Sequence, residues 1–399
     1  MAVTPRRSSL CFDYHPELAM DPYWARLQQH GESGLRVSQW LPNLARHADS
    51  LCVLRAMHTD TPIDSKGTLL LHCGHWVLPL PSLGSWVLYG LGCENENMPS
   101  YIALNMSSSF GGIRNCGSAF LPSTYQGVGI GQARQAVEPS DGSNLTNDSI
   151  SPNEQQRQIQ LVERLNQRFL EQTASPEIEG MIQSHETTFR MQMDFSQQMD
   201  FTSEPQRVLD VYGAENREQR KVRWGRQTSV DVFARQCLLA RPFAEAGVRF
   251  IELNMEYWDT HTTHRRDTQN LCWAVDQPIA SLFDDLKQCG LWDDTLVVWG
   301  GEFGRTTSEE ENQDGTDHNP RGYTMFLAGG GVQGCFAYGR RALDVQGTFA
   351  VEGKVHVHDL HATIVHLLGL DHERLTYRYS GRDFRLTDVF GRVVNEIIV

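Results

Sequence analysis

The chain has 399 residues, 40% of them hydrophobic, so it can bury a sizeable core in one large domain or in two or three smaller ones. With 35 basic and 49 acidic residues the net charge is −14, which argues against a nucleic acid or an anionic membrane as partner, because phosphate binding requires a basic surface. A small anionic substrate held by local arginines remains compatible with this charge.

The cysteines and the apolar runs are used to predict the cellular location of the protein. Nine cysteines are scattered without a Cys-x-x-Cys pair, which indicates reduced thiols rather than a disulfide framework. No run of about 18 apolar residues occurs, so no transmembrane helix is predicted. The start contains Arg6 and Arg7 but no apolar stretch typical of a signal peptide, so the chain as it stands is expected to be cytoplasmic.

Strand-like and helix-like patterns alternate along the chain. Ser38 is expected to cap a helix over 37–47, and 62–74 is expected to begin as a loop. The polar stretch 136–225 is predicted to be an exposed excursion rich in helix and loop. The alternation elsewhere is typical of βαβ units and predicts a mostly parallel sheet with helices on both faces. Strands are predicted at 51–57, 101–105, 248–254, 296–299 and 322–327, and helices at 79–92, 230–246, 270–290 and 358–369.

Acidic residues and histidines follow several of these strands. The strand in Thr-Leu-Val-Val-Trp-Gly-Gly-Glu-Phe-Gly-Arg-Thr ends in two glycines and Glu302, and the pairs Asp259/His261 and Asp317/His318 follow strands in the same way. In open α/β sheets, ligands bind at the carboxyl ends of strands. A single Asp-x-His is more often a surface or capping pair than a ligand, but the position of all three clusters after buried strands favours a metal centre. Mixed carboxylate and imidazole ligands suit Zn, Mn or Fe better than Ca or Mg alone.

For the other candidate residues, a structural role is supported as well as a functional role or better. His58 follows a predicted strand and is either a site residue or part of a turn capped by a neighbouring Asp. His358 and His361 share a helix with buried leucines, where packing or capping is favoured over ligation. Arg378 and Arg382 could bind an anion, although pairing with nearby aspartates in a solvated loop is slightly favoured. Neither a phosphate loop nor a dinucleotide fingerprint occurs, so a nucleotide-binding regulator has little support.

Longer motifs resemble a known family. They are the strand that ends in Glu302, Asp-His-Asn-Pro from Asp317, His-Val-His-Asp-Leu-His-Ala-Thr from His356 and Tyr-Arg-Tyr-Ser-Gly-Arg-Asp-Phe from Tyr377. Together they resemble the uncharacterised family numbered fifteen hundred and one among domains of unknown function, abundant in planctomycetes and often called sulfatase-like. That family is similar to the alkaline phosphatase and sulfatase superfamily. The resemblance implies one domain over 1–399, a three-layer α/β/α sandwich with a mostly parallel sheet.

The resemblance also implies a divalent metal, whether Zn, Mn, Fe or Ca. Sulfatases have an Asp-Asp-Thr-Leu-Val strand that leads to a metal-binding Asp. Here the same five residues lead to Glu302 in that place, and Phe303 replaces the second ligand. Asp259 and His261 resemble the paired ligands of superfamily phosphomutases, and His318 stands where a later His or basic residue approaches the site. The implied metal ligands are Asp259, His261, Glu302, Asp317 and His318.

The chain departs from the pattern in two places. The sulfatase nucleophile position falls on Asp64, where this chain has Ile-Asp-Ser-Lys instead of the family's Asn-His-x-Pro, so no Cys can become formylglycine. Asp64, His58 and Arg305 are therefore the candidate catalytic residues. The family's export signal, first strand and Gly-Gly-Pro-Ser stretch are not found before Phe12. The chain is expected to lack the usual first strand, as a truncated or degenerate member, and to be periplasmic or secreted if truncated.

Two functions are carried forward. The leading one is a metal-dependent hydrolase-like protein that acts on a phosphate or sulfate ester, with a small anionic ester or a sulfated or phosphorylated glycan as substrate. The alternative is a catalytically degenerate, non-enzymatic binding or structural member of the same fold. The altered nucleophile position and the expected loss of the first strand support this alternative.

Overall fold

The computed structural model describes residues 2–5, 27–95, 98–107, 110–141, 195, 198–306, 315–344 and 347–399, with scattered helical positions between 154 and 168. The α-helices that it describes over their whole length are α1 (Asp64–Cys73), α2 (Leu83–Leu91), α3 (Gln206–Tyr212), α4 (Asp231–Glu245), α5 (His264–Gln288) and α6 (Val357–Leu367). Short 3-10 helices lie at Leu44–Ser50, Gly112–Cys116, Ser123–Tyr125, Phe201–Ser203, Arg223–Gly225 and Asn395–Ile397.

The strands fall into one large sheet and several two-stranded ones. The large sheet contains β1 (Ala2–Pro5), β4 (Leu51–His58), β5 (Tyr101–Leu104), β6 (Val128–Ile130), β9 (Phe250–Met255), β10 (Val297–Trp299), β13 (Tyr323–Ala328), β14 (Phe336–Tyr338) and β17 (Val355–His356). The two-stranded sheets pair β2 (Leu27–His30) with β3 (Leu35–Ser38), β7 (Arg220–Lys221) with β8 (Gln227–Thr228), β11 (Gly304–Arg305) with β12 (His318–Asn319), β15 (Arg340–Asp344) with β16 (Gly347–Glu352), and β18 (Tyr377–Tyr379) with β19 (Arg382–Phe384).

The large sheet is mixed but mostly parallel. Its order is β14-β4-β13-β10-β1-β9-β5-β6, with β17 also beside β4. Within it, β13 runs antiparallel to both β4 and β10, and the other pairings are parallel. The sequence therefore predicted a mixed α/β chain and its main strands correctly. It did not reveal the reversed direction of β13.

Both faces of the large sheet are buried. Neighbouring residues along β4, Val53 and Leu54, belong to two different apolar clusters, because successive side chains of a strand point to opposite faces. The first cluster packs against α4 and α5, and the second against α1, α2 and α6. Strands covered on both faces are continuously apolar, which explains why runs such as Val297–Trp299 could be recognised in the sequence.

A short strand occupies the middle of the sheet. We expected the family's usual first strand to be absent, yet the backbone of Ala2–Pro5 runs in parallel between β9 and β10. The register pairs Ala2 with both Glu252 and Val298. The four residues of this strand contain no carboxylate.

Two local predictions were wrong. Residues expected to form a loop from 62 form helix α1 from Asp64 onward, and the helix ends at Gly74, whose φ of 66° gives the left-handed cap. The helix expected from Ser38 is absent, since Ser38 ends β3 and a 3-10 helix begins only at Leu44. Its start is fixed by Asp276 of α5, whose carboxylate accepts the Leu44 N–H at 2.8 Å. This distant cap outweighs the local capping signal.

The predicted excursion at 136–225 lies partly outside the described residues. Its described parts include α3 and the β7–β8 hairpin, which begins at Arg220. No helix among the described residues combines the length and the apolar character that crossing a membrane requires.

Candidate metal and anion site

Three of the predicted ligands come together beyond the end of β9. Their ligand atoms, one each from Asp259, His261 and His318, all lie within 4.8 Å of one another. Nε2 of His261 and Nε2 of His318 are each 3.1 Å from Oδ1 of Asp259. Asp259 is buried, and the two imidazoles are partly exposed, so the group is open to a ligand from one side.

The β11–β12 hairpin and the loop before α1 orient His318. The hairpin pairs His318 with Arg305 across the two strands. The Nδ1–H of His318 donates to the carbonyl oxygen of Pro62, so Nε2 is the ring nitrogen that faces Asp259 and that would bind a metal in its unprotonated form. The imidazole stacks on the ring of Phe303, with centroids 4.4 Å apart and planes at 25°. Phe303 therefore supports the imidazole of a candidate ligand.

Two arginines contact the same carboxylate. Nη2 of Arg305 donates to Oδ1 of Asp259 at 3.0 Å, and Nη1 of Arg223 pairs with Oδ2. The side chain of Arg305 is 1% exposed, and its guanidinium also donates to the carbonyl of Thr316. Asp259 thus joins two imidazoles and two guanidinium groups at one point. The two guanidinium groups suit an anionic oxygen ligand.

The donor set fits a first-row divalent metal. Two imidazole nitrogens with one carboxylate oxygen are typical ligands of Zn, Mn or Fe and suit Ca less well. Ligand atoms on a tetrahedral zinc lie about 3.4 Å apart, since each is about 2.1 Å from the metal. The 3.1 Å separations in this group are close to that value. The bond from His318 to Pro62 is the outer contact that metal-bound histidines usually make.

Asp64 lies at the edge of this group. It is the first residue of α1, and its Oδ1 is 3.8 Å from Nε2 of His318. The N-terminus of a helix favours negative charge because its N–H groups point outward. The structure therefore brings the residue at the nucleophile position together with the predicted ligands, although α1 was not predicted to begin there.

Three other predicted site residues lie apart from the group. Glu302 is buried against α1, where a Cβ added to Gly67 would be 3.1 Å from its Cβ and Cγ. Asp317 is exposed, and its carboxylate accepts the backbone N–H of the next residue at 2.7 Å. His58 lies on β4 opposite His356, with ring centroids 5.2 Å apart. Among the described residues, the group of potential metal ligands contains none of these three.

Comparison with known proteins places the chain in a family. Residues 7–398 match the family described as "Protein of unknown function (DUF1501)". The chain belongs to this family. The resemblance stated from the motifs is thereby confirmed for nearly the whole length of this DUF1501 protein. No curated protein matches the chain.

Solved structures similar to this DUF1501 chain are members of the alkaline phosphatase and sulfatase superfamily. Ps i-CgsB in complex with k-i-k-neocarrahexaose is 12% identical, with 93% of this chain and 72% of that chain covered and a TM-score of 0.43. The lipoteichoic acid synthase LtaP from Listeria monocytogenes is 9% identical, with 97% and 74% covered and a TM-score of 0.42. The phosphonate monoester hydrolase SpPMH from Silicibacter pomeroyi is 11% identical, with 92% and 72% covered and a TM-score of 0.40. None of these likenesses bears on the reaction.

A buried polar network in the DUF1501 chain was not predicted. Nε2 of His72 lies 3.0 Å from Oε1 of Glu252, and the Tyr101 hydroxyl donates to Oε2 at 2.6 Å. Burial lowers the pKa of His72, but the charge of Glu252 outweighs this and raises it above the ordinary value. Burial raises the pKa of Glu252, and the charge of His72 outweighs this in turn and lowers it. The two therefore form a buried ion pair beside a cavity that Glu302 also lines.

The structural interpretations of the remaining candidates agree with their contacts. His361 donates through Nε2 to the carbonyl of Leu71 at 2.7 Å, and burial lowers its pKa to about 3. His358 contacts the carbonyl of Gly74 in the same way at 2.9 Å. Both histidines thus join α6 to the end of α1. Arg378 pairs with Asp383, and Arg382 pairs with Asp388.

Proposed function

We propose that this chain is a metal-dependent hydrolase that acts on a phosphate or sulfate ester. The observation that carries the proposal is the group formed by Asp259, His261 and His318, whose ligand atoms lie within 4.8 Å of one another beside Arg305. Two imidazoles favour Zn, Mn or Fe among the metals considered. The adjoining guanidinium groups suit an anionic ester rather than a neutral one.

The side chains divide into three roles in this proposal. Asp259, His261 and His318 hold the metal, which when bound polarises an ester oxygen and lowers the pKa of a bound water. Arg305 and Arg223 hold the anionic oxygens of the ester and balance the charge that develops during transfer. Asp64, 3.8 Å from His318 at the N-terminus of α1, either takes a proton from the water that attacks the ester or itself attacks the phosphorus or sulfur atom. In the second case the ester bond breaks, the alcohol leaves, and water then hydrolyses the anhydride formed on Asp64.

The alternative is a non-catalytic member of the fold that binds an anion without hydrolysing it. It is favoured by the pairing of Asp259 with Arg305 at one oxygen and with Arg223 at the other. A metal has to displace at least one of these guanidinium groups to reach the carboxylate. In this alternative the arginines remain in place and the site binds the anion directly.

The test is a metal-loading and hydrolysis experiment on the full chain. After loading with Zn, Mn, Fe(II) or Ca and dialysis, elemental analysis should show one bound metal per chain, and Asp259→Asn or His318→Ala should lose it. His366→Ala is the matched control, because His366 is an exposed histidine of α6 outside the group. The loaded protein should hydrolyse 4-nitrophenyl phosphate or 4-nitrophenyl sulfate.

Three results are informative. Metal binding with hydrolysis supports the proposal, and loss of both in Asp259→Asn assigns them to this group. Metal binding without hydrolysis of either ester contradicts the hydrolase, whereas the alternative in which Arg305 and Arg223 stay paired with Asp259 predicts no metal uptake. A wild-type chain that takes up none of the four metals contradicts the metal-dependent function.

A further inference from the structure

A basic hairpin stands beside the candidate site. Strands β7 and β8 carry a tip, Arg223–Gly225, in a stretch that reads Arg-Glu-Gln-Arg-Lys-Val-Arg-Trp-Gly-Arg from Arg217. This stretch has five basic residues and one acidic residue, although the whole chain has a net charge of −14. Lys221, Trp224 and Arg226 are exposed. Because Arg217, Arg220 and Arg223 pair with carboxylates, the positive charge of the exposed surface comes from Lys221 and Arg226 beside Trp224. The catalytic proposal uses none of these three exposed residues.

The tip holds a tryptophan in a conformation that suits other residues. Trp224 has φ 57° and ψ 30°, and Gly225 follows with φ 69°. The Arg226 N–H donates to the carbonyl of Arg223 at 3.2 Å, which closes a turn of type I′ with Trp224 and Gly225 at its centre. Such turns favour Asn-Gly, and a bulky residue in the left-handed region is an outlier. An unfavourable residue kept at a surface turn points to a function for its side chain.

The tryptophan is also fixed to the candidate site. The guanidinium of Arg223 lies 3.7 Å from the centroid of the Trp224 ring, and the same guanidinium pairs with Asp259. One cation thus connects the ring to the carboxylate of the metal group. The Trp224 side chain is 72% exposed, so its ring surface remains open to solvent next to this anchor.

We propose that the hairpin Arg220–Thr228 binds a sugar ring of an anionic glycan next to the reacting group. The C–H face of a pyranose carries partial positive charge, which the negative face of an indole attracts. Lys221 and Arg226 then pair with sulfate, phosphate or carboxylate substituents of the neighbouring sugars. This inference rests on the proposed function, because it names the substrate class of the same site. The few cations of one hairpin match spaced substituents better than the dense phosphates of a nucleic acid.

The decisive variant is Trp224→Asn, because asparagine suits the type I′ turn. The variant should keep or raise the melting temperature, so that a loss of binding cannot come from unfolding. Calorimetric titration of the full chain with dextran sulfate should show an affinity about tenfold weaker than that of the wild type. Neutral dextran of the same length should bind neither protein. Arg226→Gln should reduce the slope of log affinity for dextran sulfate against log salt concentration by about one, because binding then releases about one counterion fewer.

Tyr379→Ala is the matched control. Tyr379 is also an exposed aromatic residue on a two-stranded hairpin with arginines, but Arg378 and Arg382 there already pair with Asp383 and Asp388. Its replacement should leave dextran sulfate affinity unchanged. An equal loss in both variants would show that any exposed aromatic has this effect and would overturn the assignment to the hairpin.

Three further results would overturn the proposal that the hairpin binds a glycan. The proposal is overturned if Trp224→Asn binds dextran sulfate as the wild type does, if the wild type does not bind it, or if a single-stranded oligonucleotide of equal charge binds more tightly. Binding is measured without turnover and with metal content recorded separately. A chain that binds dextran sulfate through Trp224 but takes up no metal would therefore contradict only the metal-dependent function.

Discussion

Nε2 of His318 lies 3.1 Å from Oδ1 of Asp259, although 59 positions separate the two residues in the chain. The contact depends on two different parts of the fold. Asp259 follows a central parallel strand, whereas His318 belongs to a small hairpin and is turned by its bond to the Pro62 carbonyl. The carboxylate and the imidazole therefore meet only when the sheet, the hairpin and the loop before α1 are all in place.

Arg223→Gln should raise the affinity for the metal. The Arg223 guanidinium pairs with one oxygen of Asp259, so a metal competes with it for the carboxylate. Removal of this competitor should tighten binding by about tenfold, which is within the range of effects that outer contacts have on metal sites. Competition with a chromophoric chelator measures the affinity. Arg226→Gln serves as the control, since it removes a nearby exposed charge. A weaker affinity in Arg223→Gln would mean that Arg223 orients Asp259 rather than competing with the metal.

Asp259→Asn and Glu302→Gln should separate the two carboxylates that the sequence assigned to one centre. Asp259 contributes an atom to the ligand group, and Glu302 does not. We therefore expect Asp259→Asn to abolish metal retention and Glu302→Gln to leave about one metal per chain. Elemental analysis after dialysis measures both. Loss of the metal in Glu302→Gln, with an unchanged melting temperature, would restore Glu302 as a ligand.

The sequence was most informative where its signal is local and periodic. The strand at Val297–Trp299 could be located because burial on both faces makes it continuously apolar. The helix at Asp231–Glu245 could be located because its apolar residues recur with the helical period. Helix α1 was missed because Asp64 follows a poor capping residue, Ile63, and Gly67 interrupts the pattern. The 3-10 helix at Leu44 depends on Asp276, which is 232 positions away, so no local reading could place it.

Only those residues of the candidate site that have a local sequence signal were predicted. Residues that directly follow a strand or a short motif, such as Asp259, His261 and His318, could be named from their chemistry. Arg223 could not, since its role comes from the path of a hairpin after a long polar stretch, and only a local excess of basic residues indicated it. Glu302 follows a strand just as Asp259 does, but the direction of its side chain is set by packing against Gly67.

The buried pair of His72 and Glu252 should make stability depend on pH. The pKa of His72 is raised in the folded state, so its contribution is complete below the unfolded value of about 6.5 and is lost as pH rises through the folded value. The pKa of Glu252 is lowered, so its contribution is present above about 4.3 and is lost as pH falls through the folded value. Urea unfolding from pH 5 to pH 9 should therefore show a decline of unfolding free energy on the alkaline side.

Glu252→Gln tests this pair directly. It leaves His72 buried without a negative partner, so the unfolding free energy at pH 6 should fall by about 3–5 kcal/mol and the alkaline decline should disappear. Glu352→Gln is the control, because Glu352 pairs with Arg340 at 3.0 Å on the surface and should change stability by less than about 1 kcal/mol. An alkaline decline that persists in Glu252→Gln would assign the titration to another group.

Gly84→Ala should destabilise the protein although alanine usually favours a helix. A Cβ at Gly84 would lie 2.4 Å from Cε1 of Tyr101, a buried ring whose hydroxyl is bound to Glu252. Because that ring cannot move without breaking its hydrogen bond, crowding should lower the unfolding free energy by about 1–3 kcal/mol. Gly90→Ala on the same helix is the matched control, since its new Cβ would meet mainly the flexible end of Leu370. Urea unfolding should show the larger loss for Gly84→Ala, and equal losses would contradict the role assigned to the Tyr101 contact.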